Sequence, residues 1–336
     1  MKISQAHLEA LVAFGYNEEE ARFLYLVATH SGYFVARQFL EFTGAHWGKR
    51  TTGFWTKLQS LRHVRVERFP KSGVVYHVFS RRLYRQIERE NIRNRRTHEL
   101  DFIKRRLAIL DFVLAHPDHQ YLETEPEKVR FFCGTLGLER HHLPSRIYIG
   151  SAQAKPTLRY FVDKFPMFPL GQPFSPSPVA TFTYVHAGAS TLLDFTHHLE
   201  AYLPLFQQLS EFGFVYASRT DACFPKATEV FHSLVKIPLE DQIADQLLRY
   251  FRVRRAWDEK QYGAVTDADL LFRNAVQSRF SGERFQALYR GWKRDRVTEE
   301  NIRREFGGPS RKRTVTFGTC LLKKNAEQED QEPATG

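Results

Sequence analysis

The chain has 336 residues, 42% of them hydrophobic, with a net charge of +11 and three cysteines. That is enough apolar material for two or three cored domains, and the widely separated Cys133, Cys223 and Cys320 exclude a disulfide framework or a paired-cysteine zinc site. The opening MKISQAHLEA has no signal-peptide core, and no run nears the roughly 18 apolar residues of a membrane span, so a cytoplasmic chain without a membrane partner is expected.

The charge is unevenly placed. Between His46 and Arg106 lie 17 Lys and Arg against 5 Asp and Glu, a local balance of +12 that leaves the remainder at −1. A solvated surface would spread such an excess. Its confinement to one segment predicts a polyanion partner, with double-stranded DNA expected.

Ser4 caps a first helix that Gly15 ends, and Asn17 with Glu20 forms a capping box opening a second, whose Phe23, Leu24, Val27 and Ala28 recur at helical spacing. Gly32 closes it. A short helix spans Val35 to Phe42, and Thr43-Gly44-Ala45 makes a turn. The next helix runs from about Gly48 to His63, with Phe54, Leu58 and Leu61 facing a core. Lys49, Thr52, Thr56, Gln59 and His63 lie on the opposite face of the wheel, hydrogen-bonding and free of acids, as a recognition helix in a major groove requires. An ordinary amphipathic helix would usually carry a Glu or Asp there.

The hydrophobic period then changes from helical to alternating. Val64 to Phe69 and Val74 to Phe79 read as two strands joined at Lys71-Ser72-Gly73. Helices followed by a hairpin make a winged helix-turn-helix, with Lys71 at the wing tip placed for backbone contacts that position rather than read DNA. Ser80 caps a long helix on which Arg81, Arg85, Arg89, Arg93 and Arg96 form one stripe. Phosphate contact is expected of it, against the alternative of solvated arginines paired with Glu88, Glu90 and Glu99. Leu100, Ile103, Leu107, Leu110 and Leu114 step by 3, 4, 3 and 4. This seam packs on its own chain or, alternatively, joins a homodimer across residues 100–114.

The run RFLYLVATHSGYFVARQFLEFTG, with FWTKLQSLRHVRVERF and SGVVYHVFSRRLYRQI after it, resembles the winged-helix domain of the replication-relaxation family over about residues 20–88. The family occurs on bacterial plasmids and integrating elements. The resemblance implies site recognition in replication, transfer or transcription of a mobile element. Tyr84 stands where the family often has glycine after the wing, which implies a different exit geometry.

After about Pro117 the basic excess falls away. LRYFVDKFPMF reads as a strand kinked at Pro166, VATFTYVHAG as a buried strand, STLLDFTHHLEAYLPLFQQL as a helix interrupted at Pro204, FGFVYASR as a strand and FPKATEVFHSLVK as a helix. FPLGQPFSPSP is a loop or wide hairpin. This order is similar to a restriction-endonuclease-like core, which relatives of the family sometimes carry. The resemblance implies that Asp163 stands at the first metal-ligand position. The next strand has Tyr184 and His186 where an acid and a lysine would be required, so a degenerate nuclease core is expected. Leu239 to Arg254, Thr266 to Phe280, Glu283 to Trp292 and Thr298 to Phe306 read as helices with mixed charge.

The expected architecture is thus α+β. A winged helix-turn-helix occupies 1–98, a long basic helix leads into a connecting helix at 99–125, and a small α/β domain spans 126–237. A helical region follows at 238–306, and a disordered tail at 307–336. His116, Asp118, His119 and Glu123 are dense enough to be weighed as metal ligands, but polar residues are ordinary at a helix exit. His197 and His198 point about 100° apart on a helix and cannot share a metal. No phosphate loop or nucleophile elbow is present. The expectation is a non-enzymatic DNA-binding protein with no cofactor, metal or small-molecule substrate. The rivals are a metal-dependent nuclease using Asp163 and a protein-interaction adaptor.

Overall fold

The computed structural model describes residues 3–69, 73–148, 157–171, 178–188, 191–235, 239–277, 280, 282–306 and 314–323. The fold is mixed α+β. It divides into one compact unit of residues 1–229 with 314–336, and a second of residues 230–313.

The first unit opens with α1 (Gln5–Val12), α2 (Glu18–Leu26), β1 (Tyr33–Phe34), α3 (Ala36–Thr43), α4 (Lys49–Ser60), β2 (Val64–Phe69) and β3 (Gly73–Val78). The three strands form an antiparallel sheet in the order β1-β3-β2, the pairing expected of a winged helix-turn-helix. The capping box forms as read: Glu20 N–H donates to Asn17 Oδ1 at 2.8 Å and Asn17 N–H to Glu20 Oε2 at 2.9 Å. Phe23, Phe34, Phe39 and Phe54 meet in an aromatic core beneath α4. At Gly32, φ is 84° and a Cβ would come within 2.4 Å of the Asn94 carbonyl oxygen, so both conformation and space demand glycine.

The long basic helix does not form. α5 ends after six residues (Arg81–Gln86). Glu88 turns left-handed at φ 57°, its N–H donating to the Arg85 carbonyl while that of Arg89 reaches the Tyr84 carbonyl at 2.8 Å. This is a Schellman stop with a glutamate at the position glycine usually takes, which hid it from a reading based on spacing. A single turn at Arg93–Arg95 leads to α6 (Leu100–Ala115). α6 lies between the winged part and the following sheet, touching α3, β1 and β7 (Val179–His186). Ile103, Leu107 and Leu110 are at most 4% exposed, so the seam is interior and unavailable to a second copy. Residues 1–98 and 126–229 lie in the same compact unit, whose boundary at Glu229–Val230 falls inside the 126–237 segment.

After α7 (Glu125–Val129), β4 (Ser145–Tyr148) and β5 (Thr157–Tyr160) make an antiparallel pair. The main sheet contains β6 (Met167–Leu170), β7, β8 (Glu211–Ser218) and β9 (Thr314–Leu321) in that order, with β6 antiparallel and the rest parallel. α8 (Leu192–Gln208) connects β7 to β8, and Phe195, Tyr202 and Phe206 pack edge-on or tilted against Phe182, Tyr184 and Phe214. Those strand residues alternate with Thr181, Thr183 and Val215, the period-2 signature of a sheet with two distinct faces. α8 runs through Pro204 unbroken; six buried residues anchor a helix that forfeits one backbone bond there. The expected tail is likewise corrected. Thr314–Leu321 pairs with β8 from Glu211↔Thr314 to Ser218↔Leu321, while 307–313 and 324–336 lie outside the described residues.

α9 (Phe224–Val235) carries the chain out of the first unit. In the second, α10 (Leu239–Asp258), α11 (Asp267–Val276), α12 (Glu283–Lys293) and α13 (Glu299–Phe306) surround Leu247, Leu248, Phe251, Phe280, Tyr289, Trp292 and Ile302. Several of its arginines are paired, among them Arg249 with Asp269 at 2.8 Å, Arg252 with Glu299 at 2.7 Å and Arg284 with Glu305 at 2.7 Å. They form the solvated, mixed-charge faces that the sequence indicated.

Candidate nucleic-acid interface

α4 is seated from behind. Phe54 and Leu58 are fully buried, and Lys57 is tied to the buried Glu20 carboxylate and lies 5.6 Å over the Tyr16 ring. Lys57 is therefore spent on anchoring the helix. Its outer face leaves Lys49, Thr52, Thr56 and Gln59 exposed. The Thr56 hydroxyl donates to the Thr52 carbonyl at 2.9 Å and that of Thr52 to the Gly48 carbonyl at 3.1 Å, so both threonines present a methyl group and an acceptor oxygen outward. Gln59 keeps both its donor and its acceptor free among the described residues, the pair that matches the major-groove edge of adenine. Trp47, 60% exposed, stands just before the helix.

His63 does not belong to this face. α4 ends at Ser60, Arg62 turns left-handed at φ 53°, and His63 swings inward to 2% exposure. The Tyr16 hydroxyl lies 2.8 Å from His63 Nδ1, and the Phe14 ring packs edge-on at 4.9 Å. Burial pushes the imidazole down to about 4, below its ordinary value. Extending the helical wheel past the true end of the helix caused the misplacement. His77 on β3 is similar: unexposed, stacked on Tyr33 at 4.3 Å, 3.2 Å from the Asn94 carbonyl, and likewise lowered by burial to about 4.

Lys71 lies outside the described residues. Arg81 and Arg85 are exposed, but both approach Glu90, at 3.8 and 3.1 Å. Arg89 is 12% exposed and bound to Glu123 at 2.9 Å, so it is structural rather than available to phosphate. Glu123 also accepts from the Tyr25 hydroxyl at 2.5 Å and faces His30 at 3.7 Å, and these partners hold its carboxyl down at about 2 despite burial. Arg93 is exposed with its guanidinium 4.8 Å over the Tyr148 ring. The stripe is thus broken up, because its spacing has meaning only on a continuous helix.

Other cations present themselves instead. Arg62, Arg65, Arg68 and Arg82 are exposed and have no ion-pair partner among the described residues. Arg65 and Arg68 sit on the wing strand β2. The available signal was an arginine recurring on exposed positions of a short strand, and it was passed over in favour of the helical stripe.

The Asp163 carboxylate is engaged by His198 Nδ1 at 3.2 Å, by the Tyr202 hydroxyl and by the Phe165 N–H at 3.3 Å, with Lys128 nearby. These partners hold it at about 2 against the effect of burial. On β7, Tyr184 and His186 occupy the inward positions, and both are buried. Among the described residues no three His, Cys, Asp or Glu converge as metal ligands. His116 and His119 stack on each other at 5.3 Å, and Glu123 is turned away to Tyr25 and Arg89. No described helix is long and apolar enough to cross a membrane.

No protein-family model, curated protein or solved structure matches the chain. The chemistry of its own surface therefore carries the functional reading.

Proposed function

We propose that the chain binds double-stranded DNA, with α4 entering the major groove and the β2–β3 wing lying against the backbone. The observation that carries this is the outward, acid-free face of Lys49, Thr52, Thr56 and Gln59 on a helix fixed from behind by Lys57 and Glu20. Thr52, Thr56 and Gln59 would read base edges, while Arg62, Arg65 and Arg68 would neutralise phosphates without reading sequence. On the replication-relaxation resemblance, such recognition would serve replication, transfer or transcription of a mobile element. The nuclease reading loses support at Asp163, whose oxygens are held by His198, Tyr202 and a backbone N–H. The adaptor reading predicts no salt-dependent DNA affinity.

Selected binding sites from a random duplex pool test the proposal. Gln59→Ala should relax the preference at one base position, a loss of about 1–3 kcal/mol of discrimination. Arg65→Ala should weaken selected and scrambled duplexes alike. An unchanged site preference in Gln59→Ala, with altered preference in Arg65→Ala, would reverse the assigned docking.

A further inference from the structure

Away from α4, a cleft of 940 Å³ opens among the segment after α5, the start of α7 and the turn joining β5 to β6. Lys128, Lys164 and Arg93 line it. Lys128 is 5% exposed, and its ammonium has a single long hydrogen bond among the described residues, 3.4 Å to the Phe165 carbonyl. Lys164 has no hydrogen-bond or ion-pair partner among them, and Arg93 none beyond the Tyr148 ring. Behind these stands Arg106, 4% exposed, its guanidinium 4.8 Å over the Phe102 ring and its Nε and Nη1 without a hydrogen bond among the described residues.

The neighbouring acids are already committed. Asp163 lends its charge to Lys128 and Arg106 but is bonded to His198, Glu125 accepts from Arg159 at 3.3 Å and from the Tyr160 N–H at 3.0 Å, and Glu123 is bound by Arg89 and Tyr25. Of the other acids lining the cleft, Glu127 accepts from the Glu123 and Thr124 N–H groups at 2.8 and 3.1 Å, Glu90 faces Arg85 at 3.1 Å and Glu88 faces His7 at 3.8 Å. Buried cations are ordinarily paired, because an uncompensated charge away from water is strongly disfavoured. Here four cations gather with a deficit of counter-charge. The backbone gives a second, independent indication. In the turn Phe161-Val162-Asp163-Lys164, Phe161 and Lys164 adopt φ of 50° and 60°, a region non-glycine residues rarely enter and hold where the surroundings require it. That strained turn presents Lys164 to the cleft.

We infer that this cleft binds a phosphomonoester, gripped by Lys128, Lys164 and Arg93, with Tyr148 and Tyr160 along its wall. A dianion matches several converging cations better than a single carboxylate does, and a guanidinium fork suits phosphate oxygens. The inference stands apart from DNA recognition by α4. Burial, reinforced by Arg106 on α6, Lys128 on α7 and Arg93, holds Lys164 down to about 8, with Glu125 opposing them. A bound dianion favours the charged ammonium, so binding above that pH draws a proton from solvent.

Isothermal titration of the full chain with phenyl phosphate, a phosphomonoester that is a dianion at both values, at low salt and at about pH 7 and pH 9, tests this. Saturable binding to one site is expected. At the higher pH the heat should vary with the ionisation enthalpy of the buffer, reporting proton uptake. Lys164→Ala and Lys128→Met should each weaken binding by about tenfold or more, while Lys164→Ala leaves duplex-DNA affinity unchanged. Lys164 is only partly buried, so that variant remains informative if Lys128→Met fails to fold. Adenosine monophosphate and oligonucleotides with 5′-phosphate or 5′-hydroxyl ends identify the source of the phosphate, a free nucleotide or a strand terminus. Absence of saturable phenyl phosphate binding, or equal affinity in Lys164→Ala, overturns the inference.

Discussion

Lowering the pH from 7 to 4.5 should destabilise the first unit through two histidines of the winged part. His63 and His77 are 2% and 0% exposed and are held neutral, each with a folded pKa of about 4 against 6.5 in the unfolded chain. Between those values the unfolded state binds protons that the folded state refuses. Stability is therefore fully present above about 6.5 and declines as the pH falls toward 4. Each group contributes a slope of roughly 1.4 kcal/mol per pH unit, or about 3 kcal/mol across the window. Below about 4.5 the carboxylates of Glu123 and Asp163, held at about 2 by their partners, lose stability in the same direction as pH drops further. The window between about 4.5 and 6.5 is thus the one to measure. Urea unfolding followed by circular dichroism at several pH values would give the slope. His63→Gln retains an acceptor for the Tyr16 hydroxyl and should remove about 1.4 kcal/mol per pH unit of it. His77→Gln should remove a similar amount while losing the stack on Tyr33. Stability that is flat or rises as pH falls through this window would refute the assignment of both rings as neutral.

Asp111 joins three elements, accepting from Arg37, Gln38 and Arg219, each at 2.7 Å. Asp111→Ala leaves those donors without their acceptor beside a buried site and should cost about 3–5 kcal/mol in urea unfolding, with Asp111→Asn costing less. Ending the chain at residue 313 removes β9 and bares the edge of β8. The truncated chain should show aggregation and faster proteolysis within 178–218 than the full chain, seen by light scattering and limited digestion. Glu20→Gln weakens both the cap of α2 and the tie to Lys57 on α4. It should lower stability by about 1–2 kcal/mol and reduce duplex affinity, read by thermal unfolding and fluorescence anisotropy.

Much of the first unit was legible because local signals and tertiary structure agree. The Asn17-Glu20 box, the turn at Gly32, the alternation in β2 and β3, and the aromatic and β-branched run of β7 each specify one element and form it. Two misreadings have a common physical origin: periodicity was carried past a point where the chain turns left-handed. Arg62 ends the wheel on which His63 was placed, and Glu88 ends the helix that would have aligned the arginines. Neither is glycine, so composition did not mark them. β9 was hidden differently. TVTFGTCL alternates as a strand should, but it lies between SRKR and KKNAEQED, and its partner β8 is about a hundred residues earlier. The cationic cleft had no signature at all, since Arg93, Lys128 and Lys164 meet only through the folding of distant segments.

The central claim is duplex binding through α4 and the wing, and the salt dependence of affinity tests it most directly. Fluorescence anisotropy of the full chain on duplex DNA, over about 50 to 300 mM salt, gives the slope of log K against log salt. Each phosphate neutralised contributes about −0.9. Lys49, Arg62, Arg65, Arg68 and Arg82 are exposed without ion-pair partners among the described residues. Engagement of three to five of them gives an expected slope of about −3 to −5, made shallower by about one in each of Arg65→Ala and Arg68→Ala. Absence of binding at the lowest salt, or a slope near zero that the variants leave unchanged, would contradict the account.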